Sequence, residues 1–240
     1  MTRQSYELSH PEYMWLNWDR ETLYGCNQDW YRIEWRRRAG CGPVAATNML
    51  LYLRKKYDLE KIPYLSGSID EVLTAMNDVF LYVRPKRHGL HTVRKFVKGM
   101  CKFGRNYGLS FWYQYLIVPP QPEKRPNLEK TVRFIEDGLK NDVPVAFLNL
   151  DAGDVEDQLS SWHWVTIVGI SENAEANVTA VDFVKPGSAE SEFKQERSYS
   201  LRYYDQAKCL KVDLGRWMDT TSRGGGFAYF CNPKDRWMAG

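Results

Sequence analysis

The chain has 240 residues, of which 43% are hydrophobic, 14% aromatic and 26% charged. That composition belongs to a globular chain able to bury a sizeable core, and it excludes a disordered, collagen-like or disulfide-scaffold protein. Lysine and arginine number 33 against 30 acidic residues, a net charge of +3. This gives no argument for nucleic-acid binding, and no apolar run reaches the roughly 18 residues of a membrane span.

The N-terminal segment "MTRQSYELSHPEYMW" lacks the apolar core of a signal peptide, so a cytoplasmic protein is expected. The five cysteines, Cys26, Cys41, Cys101, Cys209 and Cys231, are an odd number in that context and read as free thiols. Residues 1–40 are polar and aromatic with weak periodicity and predict loops and short turns. The basic run Arg36-Arg37-Arg38 within them reads as a solvated loop or as a patch for an acidic ligand group.

Residues 43–57 predict a helix. Pro43 suits its first turn, and Ala45, Ala46, Met49, Leu50 and Leu53 fall on one face. A second helix starts near Ser68, with Glu71 three residues on in a capping-box pattern. A third covers 91–104. Residues 109–118, rich in aromatic and β-branched side chains, predict a strand. The proline-rich stretch 119–127 reads as a joint within one domain. Asn127 then caps a helix over 128–140. Strands follow at 143–150, 163–170, 177–184, 198–205, 209–214 and 226–231, with one helical turn at 216–221. No internal repeat is present. Helices followed by an antiparallel sheet predict an α+β fold in a single domain spanning 1–240. Its helical half covers about 1–118 and its sheet half about 128–231.

The tetrapeptide Gly40-Cys41-Gly42-Pro43 stands at the mouth of the first long helix. A helix N-terminus stabilises a thiolate, and its amides can hold an oxyanion. Gly40 and Gly42 would let the backbone approach a substrate. Cys41 therefore reads as a nucleophile, or alternatively as a buried cysteine with glycines for a turn. A cysteine nucleophile needs a base. Of the four histidines, His163 opens an apolar strand and is flanked by Trp162 and Trp164, so it is either that base or a packed side chain. His88 and His91 have metal-ligand spacing without further ligands nearby, and no metal or cofactor is expected. His10 reads as solvated.

With Cys41 and His163 placed, the chain resembles the papain-like cysteine peptidases. It is most similar to the bacterial branch of double-glycine-leader peptidases and their stand-alone relatives. The segments carrying the resemblance are "GCGPVAATNMLLYL", "LKNDVPVAFLNL" and "WHWVTIVGI", in the family's order, and the resemblance covers roughly residues 24–231. It implies a papain-like fold and a third residue, Asp or Asn, on or after the strand that follows the histidine. Asp182 fits that place and is preferred. Asp205 is the rival if 177–197 is an insertion, although "DQ" there also reads as a hairpin turn. The Trp-Gly or Pro-Trp element that the family carries after this residue is absent at both positions. The resemblance also implies an upstream oxyanion donor, for which Gln28 is the candidate and Asn27 the alternative. Gly40, Gly42 and Trp162 are the substrate-binding candidates.

The implied reaction is acyl transfer, with a peptide, small amide or acyl substrate and either water or an amine as acceptor. The alternatives are a small-molecule acyltransferase on the same fold and an inactive binding module. No phosphate-binding loop is present, so a transporter architecture is not expected. The acidic run 151–158 reads as a solvated loop or as a cleft border for a basic substrate, and "GGGF" at 224–227 as a turn rather than a flap. Cys26 reads as a bystander or as a redox partner of Cys41.

Overall fold

The computed structural model describes residues 5–18, 20–62, 68–87, 89–173, 198–205 and 207–238. The first forty residues hold more regular structure than loops and turns. Strand β1 is Ser5–Glu7, β2 is Trp15–Trp18, β3 is Glu21–Tyr24, and helix α1 is Glu34–Ala39. β2 and β3 pair as an antiparallel hairpin, Trp15 opposite Tyr24 and Leu16 opposite Leu23. Each strand is four residues long, too short to show an alternation by itself, and only Leu16 of β2 is buried.

Helix α2 (Cys41–Tyr57) follows α1 after the single residue Gly40. Every residue of it from Gly42 to Leu53 is buried, so it is wrapped on all sides rather than on the one expected face. Of its polar side chains, Thr47 is accommodated locally, its Oγ1 donating to the Pro43 carbonyl at 2.9 Å. Helix α3 (Ile69–Tyr82) is capped by Ser68, whose Oγ accepts from the Glu71 N–H at 3.4 Å. Helix α4 (Val93–Asn106) is capped in the same way by Thr92. Strand β4 is Trp112–Val118. Helix α5 (Leu128–Lys140) starts from Asn127, whose Oδ1 accepts from the Lys130 N–H at 2.8 Å. The proline-rich joint between β4 and α5 is pinned by Arg125, which donates to the carbonyls of Pro119, Pro120, Met218 and Thr221.

The remaining elements are β5 (Val145–Asn149), β6 (His163–Asn173), β7 (Ser198–Asp205), β8 (Lys208–Asp213), α6 (Leu214–Thr220) and β9 (Gly225–Cys231). The strand expected at 177–184 lies outside the described residues. Strands run in the order β4-β9-β5-β6-β7-β8, and β1 pairs with β6 past the end of β5. All these pairs are antiparallel. The protein is thus a mixed α+β structure whose sheet takes β1 and β4 from the first half of the chain. Among the described residues no helix is long and apolar enough to cross a membrane.

The glycines at 224–226 lead into a central strand instead of forming a free turn. Gly224 has φ +66°, and a Cβ on Gly225 would lie 1.9 Å from the Leu148 carbonyl oxygen. β9 sits between β4 and β5, and only a residue without a side chain permits so close an approach.

Candidate active site

The start of α2 and one end of the sheet meet at a narrow slot of about 10 Å³, lined by Gln28, Cys41, Asn48, His163, Tyr204 and Asp205 among others. Cys41 is the first residue of α2 and is partly buried. His163 is the first residue of β6 and is 8% exposed. β6 and β7 run antiparallel with Thr166 opposite Tyr204. The start of β6 therefore lies beside the end of β7, which places Asp205 against His163. Asp205 Oδ1 accepts a hydrogen bond from His163 Nε2 at 2.7 Å.

The ring's other nitrogen is left for the thiol, and His163 is hydrogen-bonded to Cys41 as well as to Asp205. Burial by itself pushes the imidazole pKa down. The bonds to Asp205 and Cys41, and the negative charge they carry or develop, outweigh it and raise the pKa to about 10. The ring is an imidazolium at neutral pH, a donor from both nitrogens.

A raised pKa is also a stability statement. The unfolded chain binds a proton at His163 with a pKa near 6.5, the folded one near 10. Stabilisation from the charged ring is therefore full below about pH 6.5 and lost as pH rises towards 10. Folding stability is expected to fall by a few kcal/mol across that window. Urea unfolding at pH 6, 8 and 10 reads it, and His163→Ala should flatten the profile.

The sequence-predicted carboxylate was Asp182 ahead of Asp205. Asp182 lies outside the described residues, and the carboxylate found on His163 is Asp205, so the order of preference is reversed. Asp205 also closes β7 opposite Lys208. It stands at a hairpin turn, as "DQ" suggested, and holds the histidine from there.

Gln28 lies in a single 3-10 turn, Gln28–Trp30, and its buried Oε1 has no hydrogen-bond partner among the described residues. An unpaired amide at the slot is costly unless it serves a ligand. A half-turn about its last torsion exchanges Oε1 for the donor Nε2. Asn27, the alternative donor, caps that turn, its Oδ1 accepting from the Asp29 N–H at 2.9 Å, and it lines a neighbouring groove.

Gly40 and Gly42, expected to let the backbone approach a substrate, have a packing reason of their own. A Cβ on Gly40 would lie 2.4 Å from the Arg36 carbonyl and 2.6 Å from the Tyr31 ring, and one on Gly42 would lie 2.7 Å from Leu90. The space these glycines leave is filled by protein, so packing of the helix start requires them. Trp162 is different. It is 51% exposed next to His163, with a left-handed backbone (φ 57°) that a bulky residue rarely adopts. The Arg223 guanidinium lies 5.1 Å over its ring.

Asn48 was not singled out in the sequence, where it looks like one polar residue in an apolar helical run. It is buried two turns beyond Cys41. Its Oδ1 accepts from the Cys26 N–H at 2.8 Å, and its Nδ2 donates to Thr166 Oγ1 at 3.5 Å. It ties three pieces together: the loop that carries Gln28, the helix that carries Cys41 and the strand that carries His163. Gly25 (φ +82°) makes room for it, since a Cβ there would be 3.0 Å from the Asn48 amide. Asn48→Ala leaves the Cys26 N–H unpaired in the interior, and is expected to cost about 2–3 kcal/mol, read by denaturant unfolding.

The other expectations resolve into structure. Arg36 binds Asn77 Oδ1 at 2.6 Å and lies over the Phe80 ring, Arg37 caps the carbonyls of Tyr31 and Arg32, and Arg38 pairs with Glu34. The basic run is thus partnered within the protein. The acidic run is anchored too, through Asp151 on the Ser222 N–H and Gln158 on the Asp213 N–H. All five cysteines are free, and burial pushes the thiols of Cys26, Cys101, Cys209 and Cys231 up, that of Cys231 to about 12. Among the described residues no group of three or more His, Cys, Asp or Glu is placed to hold a metal ion. His88 lies outside the described residues. Compared with models of known protein families and with curated proteins, the chain matches none of them.

Proposed function

We propose that the protein is a cysteine-dependent acyl-transfer enzyme of papain-like fold, a peptidase or amidase acting through Cys41, His163 and Asp205. One observation carries this reading: a buried histidine ring held between a helix-start thiol and a carboxylate, with Asp205 Oδ1 2.7 Å from Nε2. A buried charge is costly, and this arrangement is the one that activates a thiol. The cysteine on the long helix, the histidine at a strand start and the carboxylate at the end of the neighbouring strand are what the papain-like resemblance implies.

The chemistry follows atom by atom. Cys41 Sγ attacks the carbonyl carbon of an amide, and the Cys41 N–H and the Gln28 Nε2 donate to the developing oxyanion. His163 Nδ1 delivers its proton to the departing amine, leaving a thioester on Cys41. The same nitrogen then removes a proton from water, which attacks the thioester and releases the acid. Asp205 holds the ring through Nε2 at both steps. The slot of about 10 Å³ is far smaller than the roughly 300–1,000 Å³ of pockets that enclose a small molecule. It admits the reacting carbonyl while the rest of the substrate lies outside, which favours a chain-like peptide over an enclosed small-molecule donor.

Intact-mass measurement with a peptide thioester or p-nitrophenyl ester tests the proposal. An acyl adduct confined to Cys41 and discharged by hydroxylamine is expected. Gln28→Ala should slow acylation by about 10²–10³-fold and alkylation far less, because alkylation develops no oxyanion. Acylation spread over several cysteines, or none, would contradict the reading.

A further inference from the structure

A groove of about 940 Å³ lies beside the slot, built mainly by the β2–β3 hairpin. Its apolar wall is Trp18, Leu23 and Trp30, and the exposed Arg20 and Glu21 line it as well. Its remaining lining residues are Asn27 and Ala207. Asn27 is the chain neighbour of Gln28, and Ala207 is two residues from Asp205. Gln28 and Asp205 line the slot. Two separate segments therefore serve both cavities, and the two share a wall within about 7 Å of chain.

The indoles are arranged to receive a ring. Trp18 is 40% exposed. Trp18 and Trp30 meet edge to face, with centroids 5.4 Å apart and an interplanar angle of 80°. Edge-to-face and offset contacts are the geometries that aromatic rings favour. The hairpin is fixed over the site: the Tyr24 N–H donates to the Ala207 carbonyl at 3.3 Å, and the Tyr24 ring stacks on Tyr204, which lines the slot. Trp15, opposite Tyr24 in the hairpin, meets its ring edge to face at 5.7 Å.

We propose that this groove is a specificity subsite that takes an aromatic group next to the reacting carbonyl, with Trp18 and Trp30 as its walls. The proposal rests on the acyl-transfer reading above, and it deepens that reading by naming the substrate class: acyl compounds or peptides with an aromatic residue beside the bond that is broken. The slot sees the carbonyl, and the adjoining groove sees the side chain.

The test uses three alkylating probes on the full chain: iodoacetamide, its N-ethyl derivative and its N-benzyl derivative. In each case Cys41 Sγ displaces iodide from carbon, and mass spectrometry maps the site. The N-benzyl rate is expected to saturate with concentration and to exceed the N-ethyl rate by about tenfold. Each rate is read as a ratio to that of iodoacetamide in the same variant, which removes any change in thiol reactivity. Trp18→Ala should cut the aromatic preference to about twofold or less, and Trp18→Phe should retain most of it. Equal rates for the ethyl and benzyl probes overturn the subsite. So does a preference that survives intact in both Trp18→Ala and Trp30→Ala. Fast iodoacetamide labelling with no aromatic preference overturns the groove alone. Iodoacetamide labelling of Cys41 no faster than that of the exposed Cys209 overturns the acyl-transfer reading, and the subsite with it.

Discussion

Cys41→Ala is expected to abolish acyl transfer, by about 10⁶-fold, with circular dichroism and unfolding midpoint close to those of the native chain. The loss is complete because no other thiol can substitute. Cys26 and Cys231 are buried, and burial raises the pKa of every thiol other than Cys41 that the structure perturbs. A desolvated thiol is a poor source of thiolate. Cys41→Ser should lose nearly as much, since a hydroxyl stays un-ionised where a thiol can give a thiolate, and is the weaker nucleophile. The assay is formation of the acyl adduct under single-turnover conditions. Activity surviving in Cys41→Ala would place the nucleophile elsewhere.

Asp205→Ala is the second large effect, an expected loss of about 10²–10⁴-fold in the rate of acylation. Without the 2.7 Å bond from Nε2 the ring is free to rotate, and the charge that sustains the imidazolium is gone. Asp205→Asn separates the two contributions. Its amide oxygen still accepts from Nε2, so orientation survives, while the lost negative charge lets the imidazole pKa fall from about 10. The upper limb of the pH–rate profile should move to lower pH, with a loss of only about tenfold. Asp182→Ala is expected to stay within about twofold of the native rate, since Nε2 has a single hydrogen and Asp205 takes it. A large loss in Asp182→Ala with a small one in Asp205→Ala would reverse the assignment.

Much of the architecture is legible in the chain because the signals are local. Ser68 with Glu71, and Asn127 before an amphipathic run, mark helix starts by side chains that reach only three residues on. The strand at 198–205 is visible from the apolar alternation of Tyr199, Leu201 and Tyr203 and is found with those bounds. Cys41 and His163 stand out because a helix start and a strand start are themselves local features. What is hidden is decided by partners far along the chain. The choice between Asp182 and Asp205 depends on β6 pairing directly with β7, Asn173 opposite Ser198, a fact of register that chain order does not contain. Asn48 is silent for the same reason: its partners, Cys26 and Thr166, are 22 and 118 residues away. Gly40 and Gly42 suggest an open backbone in isolation, yet Tyr31 and Leu90 arrive from other segments and fill the space. The β2–β3 hairpin escapes notice because its strands are short and mostly exposed, and this is also why it can present indoles to a ligand.

The most direct measurement of the central claim is sub-stoichiometric iodoacetamide labelling from pH 5 to 8, with the modified cysteine mapped by mass spectrometry in the native protein and in His163→Ala. The account predicts that Cys41 carries most of the label already at the acidic end of the range, and that this selectivity disappears in His163→Ala. Labelling of Cys41 that rises with pH in step with the exposed Cys209, and that is indifferent to His163, would contradict it.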